Sequence, residues 1–462
     1  MIKKSLCIAL CASSLFAAKI EDINHIVVIY LENRSFDTLF RGFSGADTSE
    51  NNKSNRLQTD FANSPNAING NNKPYEFLPM LSAKEVASKM AIADKMDIYP
   101  FPDNNKTLLN EPWNMDLYAK QWYIVPEAEH LFYSNQTEIN GGKLDGYAAY
   151  NRNSAGLAMG YNDMSKSAMW RYAKEYTLCD NFFQSAFGGS FLNHIWLISA
   201  RTPKFENAPE AIVAKPWANN PTVMKDAPVT PDGYAVNTIQ PTYMPYDPTS
   251  KPDYRLPPID YPNIGDSLSA KNISWKWYSG GYSQAMAGNG KSINYQYHHN
   301  PFAYFKNYAP DSKNREHVVD DTELFADIKA NKLPQVVFYK PLSELNGHPV
   351  YSNIASADRA VEDLVEKIKS NKKLWKQTVI IITFDENGGF WDHVPPPNRD
   401  RWGPGTRIPA IIVSPYAKKG FVDHAQYDTT SILALIEKRF KLKALTEVDA
   451  KAQNLTNTLS IK

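Results

Sequence analysis

A chain of 462 residues with 43% hydrophobic and 21% charged side chains has the composition of an ordinary globular protein, large enough for one big α/β domain or two modest ones. Its 50 Lys and Arg stand against 49 Asp and Glu, a formal net charge of +1. No overall field is available to attract nucleic acid or an acidic membrane surface, so the electrostatic binding classes are set aside.

The first segment in chain order is of a different kind. Lys3 and Lys4 precede the apolar run SLCIALCASSLF and a small-residue end, AAK. Residues 1–18 therefore read as a secretory signal peptide, too short to span a bilayer as a mature helix. Cys11 follows IAL, a poor match to a lipoprotein cut, so no membrane anchor is expected. Without a twin-Arg pair, export by the general route to the periplasm or beyond is expected. Loss of the leader removes Cys7 and Cys11 and leaves Cys179. No intrachain disulfide can then form, and the core of residues 19–462 must hold the fold.

HIVVIYL (25–31) is the first strand, and the Asn-rich stretch 49–75 reads as a surface loop, a candidate mobile segment. A further strand gives way to Gly188-Gly189-Ser190 and a helix-like run within 179–196. Twelve of the 31 prolines fall in 202–258, which excludes central sheet or long helix and predicts a surface excursion or cap. PQVVFYK (334–340) is the next strand, and a helix over 356–373 opens on a capping Ser356. QTVIIITF (377–384) and RIPAIIVSP (407–415) are strands, and a helix over 428–442 has Asp428 as its cap. Near-continuous apolar strands alternating with helices predict an α/β fold, a mostly parallel central sheet with helices on both faces.

Ligands of such a sheet bind beyond the carboxyl ends of its strands. Three polar clusters lie there: Glu32, Asn33 and Asp37 after the first strand; Asp385, Glu386 and Asn387 after 377–384; and Ser190 behind two glycines at a helix start. Each alone has a bland reading, a solvated turn or a capping serine. Adjacent acids at a buried strand end are nonetheless costly without a positive partner. Glu32, Asn33, Asp385, Glu386 and the Ser190 hydroxyl form an all-oxygen set suited to a hard or borderline divalent cation. Such an ion would favour the Ser190 alkoxide as a nucleophile and would stabilise charge on a phosphoryl group. His130, His298, His299 and His348 are candidates for binding phosphate oxygens or exchanging a proton with a leaving alkoxide. His393, ahead of three prolines, is assigned a structural or supporting role.

ENRSFD, GGSFLNH, IGDSLSAKNISWKWYSGGY, HHNPFAYF, LPQVVFYKP, NGHPVYS, DENGGFWDHVPPP and TRIPAIIVSPYAKKG resemble, in order, the blocks of the bacterial phosphoesterase family of phospholipases C and acid phosphatases. The resemblance runs from about residue 24 to 440. It implies an alkaline-phosphatase-like fold, one catalytic domain and metal-assisted hydrolysis of phosphate esters. It places one metal ion (Ca²⁺, Mg²⁺, Mn²⁺ or Zn²⁺) on Glu32, Asn33, Ser190, Asp385 and Glu386, and phosphate on His130, His298, His299 and His348. Ser190 where phospholipases carry Thr, and a chain ending at Lys462 without long C-terminal β-domains, point to the acid phosphatase branch. The implied substrates are small phosphomonoesters cleaved through a phosphoserine. Phospholipid cleavage of the phospholipase C type is the alternative, and a catalytically inactive exported metal-binding protein is a third reading. Thr429 departs from the family, where many members carry His after the Asp of YDTTSI.

Overall fold

A computed structural model describes residues 18–81, 85, 107–218, 220–288 and 295–462; apart from Ala18, the predicted leader lies outside the described residues. Eight strands form the central sheet: β1 His25–Leu31, β2 Thr177–Cys179, β3 Trp275–Ser279, β4 Val318–Asp320, β5 Val336–Lys340, β6 Thr378–Phe384, β7 Ala410–Val413 and β8 Phe421–Asp423. Their spatial order is β8-β2-β7-β6-β1-β5-β3-β4. All neighbours are parallel except β7, which runs antiparallel to β6 and β2. The chain passes from β6 to β7 by a loop at the carboxyl end of β6, without a helical crossover, so β7 must run back. β1, β5 and β6 are mostly Val, Ile and aromatic residues and are buried almost throughout, as central strands covered on both faces require.

Five helices matter for the site: α1 Phe36–Phe40, α2 Ala168–Glu175, α3 Ser190–Ser199, α4 Ile354–Ser370 and α5 Thr430–Phe440. α2 packs with α4 and α3 packs with α5, covering the two faces of the sheet. The fold is the mixed α/β, mostly parallel architecture expected from the strand and helix rhythm. No described helix is long and apolar enough to cross a membrane.

Element ends differ from the sequence reading for local reasons. The helix expected over 356–373 starts at Ile354, and Asn353 caps it by accepting from the Ser356 N–H at 2.9 Å. Ser356 receives the cap instead of supplying it. The helix expected over 428–442 begins at Thr430; Asp428 lies one residue further out, in the short strand Tyr427–Asp428, and its Oδ1 accepts from the Thr430 N–H at 2.7 Å. The strand expected over 407–415 shortens to Ala410–Val413, since Pro409 has no N–H to donate to the ladder.

The Asn-rich stretch is not a loose loop. Gln58 and Asp60 are buried, and the Asp60 carboxylate accepts the backbone N–H groups of Ile68, Asn69 and Gly70. The Pro-rich segment stays outside the central sheet, with an antiparallel pair, Lys215–Trp217 and Asn220–Lys225, of its own. Its Asn237 reaches inward to accept from the Phe132 N–H at 2.9 Å.

Candidate metal centre and active site

The register of the sheet assembles the first part of the site. Leu31 of β1 is level with Phe384 of β6, so Glu32 and Asp385 leave the sheet side by side, tied by the Asp385 N–H to the Leu31 carbonyl at 3.0 Å. Asn33 then takes a left-handed backbone (φ 62°), a conformation Asn tolerates better than most residues. Gly388 (φ +65°) runs against it; a Cβ there would lie 2.6 Å from the Asn33 Cβ. The DENGG turn is thereby pressed onto the ENRSFD turn.

Ser190 opens α3, directly after Gly189, at the helix end where anions are favoured. Gly188 must be glycine twice over: its φ is +84°, and a Cβ would stand 2.6 Å from the Phe132 nitrogen. The Ser190 hydroxyl donates to Glu32 Oε2 at 2.9 Å. Its influence on the nearby Asp385 carboxylate favours the ionised form, against a larger effect of burial.

Glu32, Asp385 and Glu386 are all fully buried. Glu32 is paired with the buried Lys340 at the end of β5 and lies 3.1 Å from His299 Nε2. The other two carboxylates have no such support. Among the described residues no Lys or Arg nitrogen comes within 4.0 Å of either; their nearest basic atoms are His194 Nδ1 at 3.8 Å from Asp385 and His130 Nε2 at 3.6 Å from Glu386. Burial, with repulsion from Glu32 on Asp385 and from Asp385 on Glu386, pushes both well above the ordinary carboxylate range. Asp385 Oδ2, Glu386 Oε1 and Asn33 Oδ1 are buried without hydrogen-bond partners. Unpartnered oxygens beside a serine hydroxyl and three carboxylates form a donor set that fits a divalent cation.

The four predicted histidines line one cleft of about 260 Å³, together with Ser190, Glu127, Asn237, Thr238, Tyr297 and Tyr351. His298 and His299 adjoin at 4.5 Å between ring centroids, and His130 and His348 at 6.0 Å. Burial lowers His298 to about 3 and His348 to about 4, and lowers His299 strongly. These three therefore meet a ligand as neutral imidazoles near pH 7.

Three site residues were not singled out in the sequence. Lys340 is the charged residue ending the apolar run VVFYK, and Arg34 lies fully buried over the Phe390 ring, donating to the Asn33 carbonyl at 2.6 Å. His194, one helical turn after Ser190, donates from Nδ1 to the Ser190 carbonyl at 2.7 Å and stacks on His299 at 5.1 Å. The GGSFLNH spacing was the available signal for His194. A charge terminating a central strand was the signal for Lys340.

Asp37, grouped by sequence with Glu32 and Asn33, points elsewhere. Its carboxylate meets His393 Nδ1 at 2.6 Å, while the Asp37 N–H donates to Asp392 at 3.0 Å and Arg407 Nε bonds Asp392 at 2.9 Å. This buried cluster ties the loop after β1 to the loop after β6, so His393 sits in a supporting network outside the cleft. Thr429 is buried near the Tyr30 hydroxyl and is not among the residues lining the cleft.

A mostly parallel α/β sheet thus gathers acids, a helix-opening serine and histidines at its carboxyl edge, where folds of this class bind their ligands. The chain belongs to the Phosphoesterase family, matched over residues 23–443. It is similar to a non-hemolytic phospholipase C of Pseudomonas aeruginosa, 24% identical over 91% of this chain and 54% of that protein. It is also similar to phospholipase C A of Mycobacterium tuberculosis, 25% identical over 91% of this chain and 73% of that protein. The chain thus spans about half the length of the Pseudomonas relative. A solved structure of an alkaline phosphatase superfamily protein from Vibrio parahaemolyticus aligns over 81% of this chain and 79% of that one, at 10% identity and a TM-score of 0.34.

Proposed function

We propose that this chain hydrolyses phosphate esters by a two-step transfer through Ser190. What supports the reading is the hydrogen bond of the Ser190 hydroxyl to Glu32 beside oxygens of Asp385 and Glu386 that have no hydrogen-bond partner. Glu32, Asn33, Ser190, Asp385 and Glu386 would hold one divalent cation, which when bound supplies positive charge that favours the serine alkoxide and offsets charge on phosphoryl oxygens.

The protein groups do the rest by position. Ser190 Oγ passes its proton to Glu32 Oε2, the acceptor of its hydrogen bond, and attacks phosphorus; the Oγ–P bond forms as the bond from phosphorus to the ester oxygen breaks, and the leaving alkoxide takes a proton from water in the open cleft. Neutral imidazole N–H groups of His298 and His299 orient the non-bridging oxygens, and His130 and His348 border the same cleft. Water then attacks the phosphoserine, releases phosphate and restores the hydroxyl. Lys340 holds Glu32 in place as the acceptor of the serine hydrogen bond.

A cleft of about 260 Å³ admits a phosphoryl group and a short piece of its alcohol. Small phosphomonoesters fit such a cleft, which is the acid phosphatase reading. A second reading is a phosphodiesterase of the phospholipase C type, with the lipid left outside the cleft; it is favoured by the names of both curated relatives. Export to the periplasm or beyond belongs to the same proposal and rests on the sequence of residues 1–18 alone.

The test is turnover of an aryl phosphate and of phosphatidylcholine by the unaltered chain and by Ser190→Ala. Ser190→Ala is expected to lose about 10³-fold or more on either ester. Loss of less than about tenfold would leave Ser190 without the nucleophile's role. The ratio of the two substrates decides between the monoester and diester readings, and absence of both activities would return the inactive metal-binding protein.

A further inference from the structure

We infer that Glu127, His130 and His348 form a second metal site, a zinc-selective triad in the mouth of the cleft. One ligand atom from each of these residues lies within 4.8 Å of the other two. Both histidines are oriented as ligating imidazoles are. The Nδ1 of His130 donates to the Ala128 carbonyl at 2.7 Å and that of His348 to the Pro349 carbonyl at 2.5 Å, so each ring turns its Nε2 lone pair outward. His130 Nε2 lies 3.5 Å from Glu127 Oε1 and 3.6 Å from Glu386 Oε1, and it also accepts from Asn33 Nδ2 at 3.4 Å.

An imidazole lone pair facing two carboxylate oxygens is an arrangement that a cation settles. Ligands about 2.1 Å from a tetrahedral zinc stand about 3.4 Å from one another, close to the separations observed around His130. Glu386 Oε1, assigned to the ion at Ser190, is fully buried and lies 3.6 Å from the same nitrogen, so the two sites adjoin at His130. Two imidazoles and one carboxylate differ in kind from the all-oxygen set around Ser190: nitrogen donors select zinc over Ca²⁺ or Mg²⁺. The Glu127 side chain is 36% exposed and gives the ion a path from solvent.

The consequence rests on the reading of the cleft that His130 and His348 border as the place where the ester binds. Zinc at the triad takes both lone pairs and stands where the ester enters, so excess zinc competes with substrate while the Ser190 centre keeps its own ion.

The experiment is equilibrium dialysis of the metal-stripped full chain against Zn²⁺, with bound zinc counted by elemental analysis. The unaltered chain is expected to bind two equivalents and Glu127→Gln one, the affinity at the lost site falling about tenfold or more. His348→Gln should lose the same equivalent and serves as the second variant. Counts of one for the unaltered chain and zero for Glu127→Gln uphold the triad and remove the Ser190 centre instead. Equal counts and affinities in the unaltered chain and both variants overturn the triad and leave the reading of Ser190 untouched. With active enzyme, zinc should raise the KM for an aryl phosphate in the unaltered chain and leave it unmoved in Glu127→Gln.

Discussion

His393 carries a titration that can be read in stability. Its ring is buried and faces Asp37 at 2.6 Å, Asp47 at 3.0 Å and Arg407 at 3.4 Å, with Asp392 in the same cluster. Burial pulls its pKa down, but the hydrogen bond and charge of Asp37, then the charge of Asp392, outweigh burial and the opposing Arg407, leaving it at about 8 against an ordinary 6.5. The protonated ring is thus favoured in the folded state. Its contribution is complete below pH 6.5 and is lost as pH rises through 8. A shift of about 1.5 units at about 1.36 kcal/mol per unit corresponds to about 2 kcal/mol. Asp37, held below its ordinary range by His393 and Arg407 in spite of burial, is the other half of the same pairing and adds nothing separate.

The assay is urea unfolding of the unaltered chain and of His393→Gln between pH 6 and 9.5. His25, His298 and His348 have folded values below 6.5, so their linkage falls on the acid side of this window. The unaltered chain should lose about 2 kcal/mol more than the variant across the window. Curves that run parallel to within about 0.5 kcal/mol would show that the Asp37 and His393 pair carries no such proton.

Three further outcomes are expected. Lys340→Met leaves Glu32 buried without its cation and should cost about 3 kcal/mol in urea unfolding at pH 7; a change under about 1 kcal/mol would mean that Glu32 is held by other groups. Gly188→Ala meets a positive φ and the Phe132 backbone together, and should cost at least about 2 kcal/mol; a neutral result would show the turn able to relax. Chelation of the metal should destabilise the chain more at pH 8 than at pH 5. Asp385 and Glu386 are raised in the metal-free fold, so their penalty is absent below the ordinary carboxylate range and grows as pH rises above it. Differential scanning calorimetry of loaded and stripped protein checks this, and an equal loss at both pH values would deny the two carboxylates a metal-dependent role.

The central strands were legible because burial on both faces selects runs such as VVIYL and VIIITF, a signal local to each strand. β3 was not, since WKWYS mixes a lysine with aromatic residues; Lys276 escapes the sheet to Asp327 at 2.9 Å, a partner no local pattern reveals. The acids after β1 and β6 and the serine behind two glycines could be chosen because polar residues at strand ends are conspicuous one segment at a time. The sequence by itself therefore settled the strand and helix alternation and offered the candidate donors. Tertiary structure alone decided that Leu31 lies level with Phe384, that Lys340 neutralises Glu32, and that Asp37 turns away to His393. Each of those facts is a distance between residues far apart in the chain, fixed by register and burial, and local composition carries no record of it.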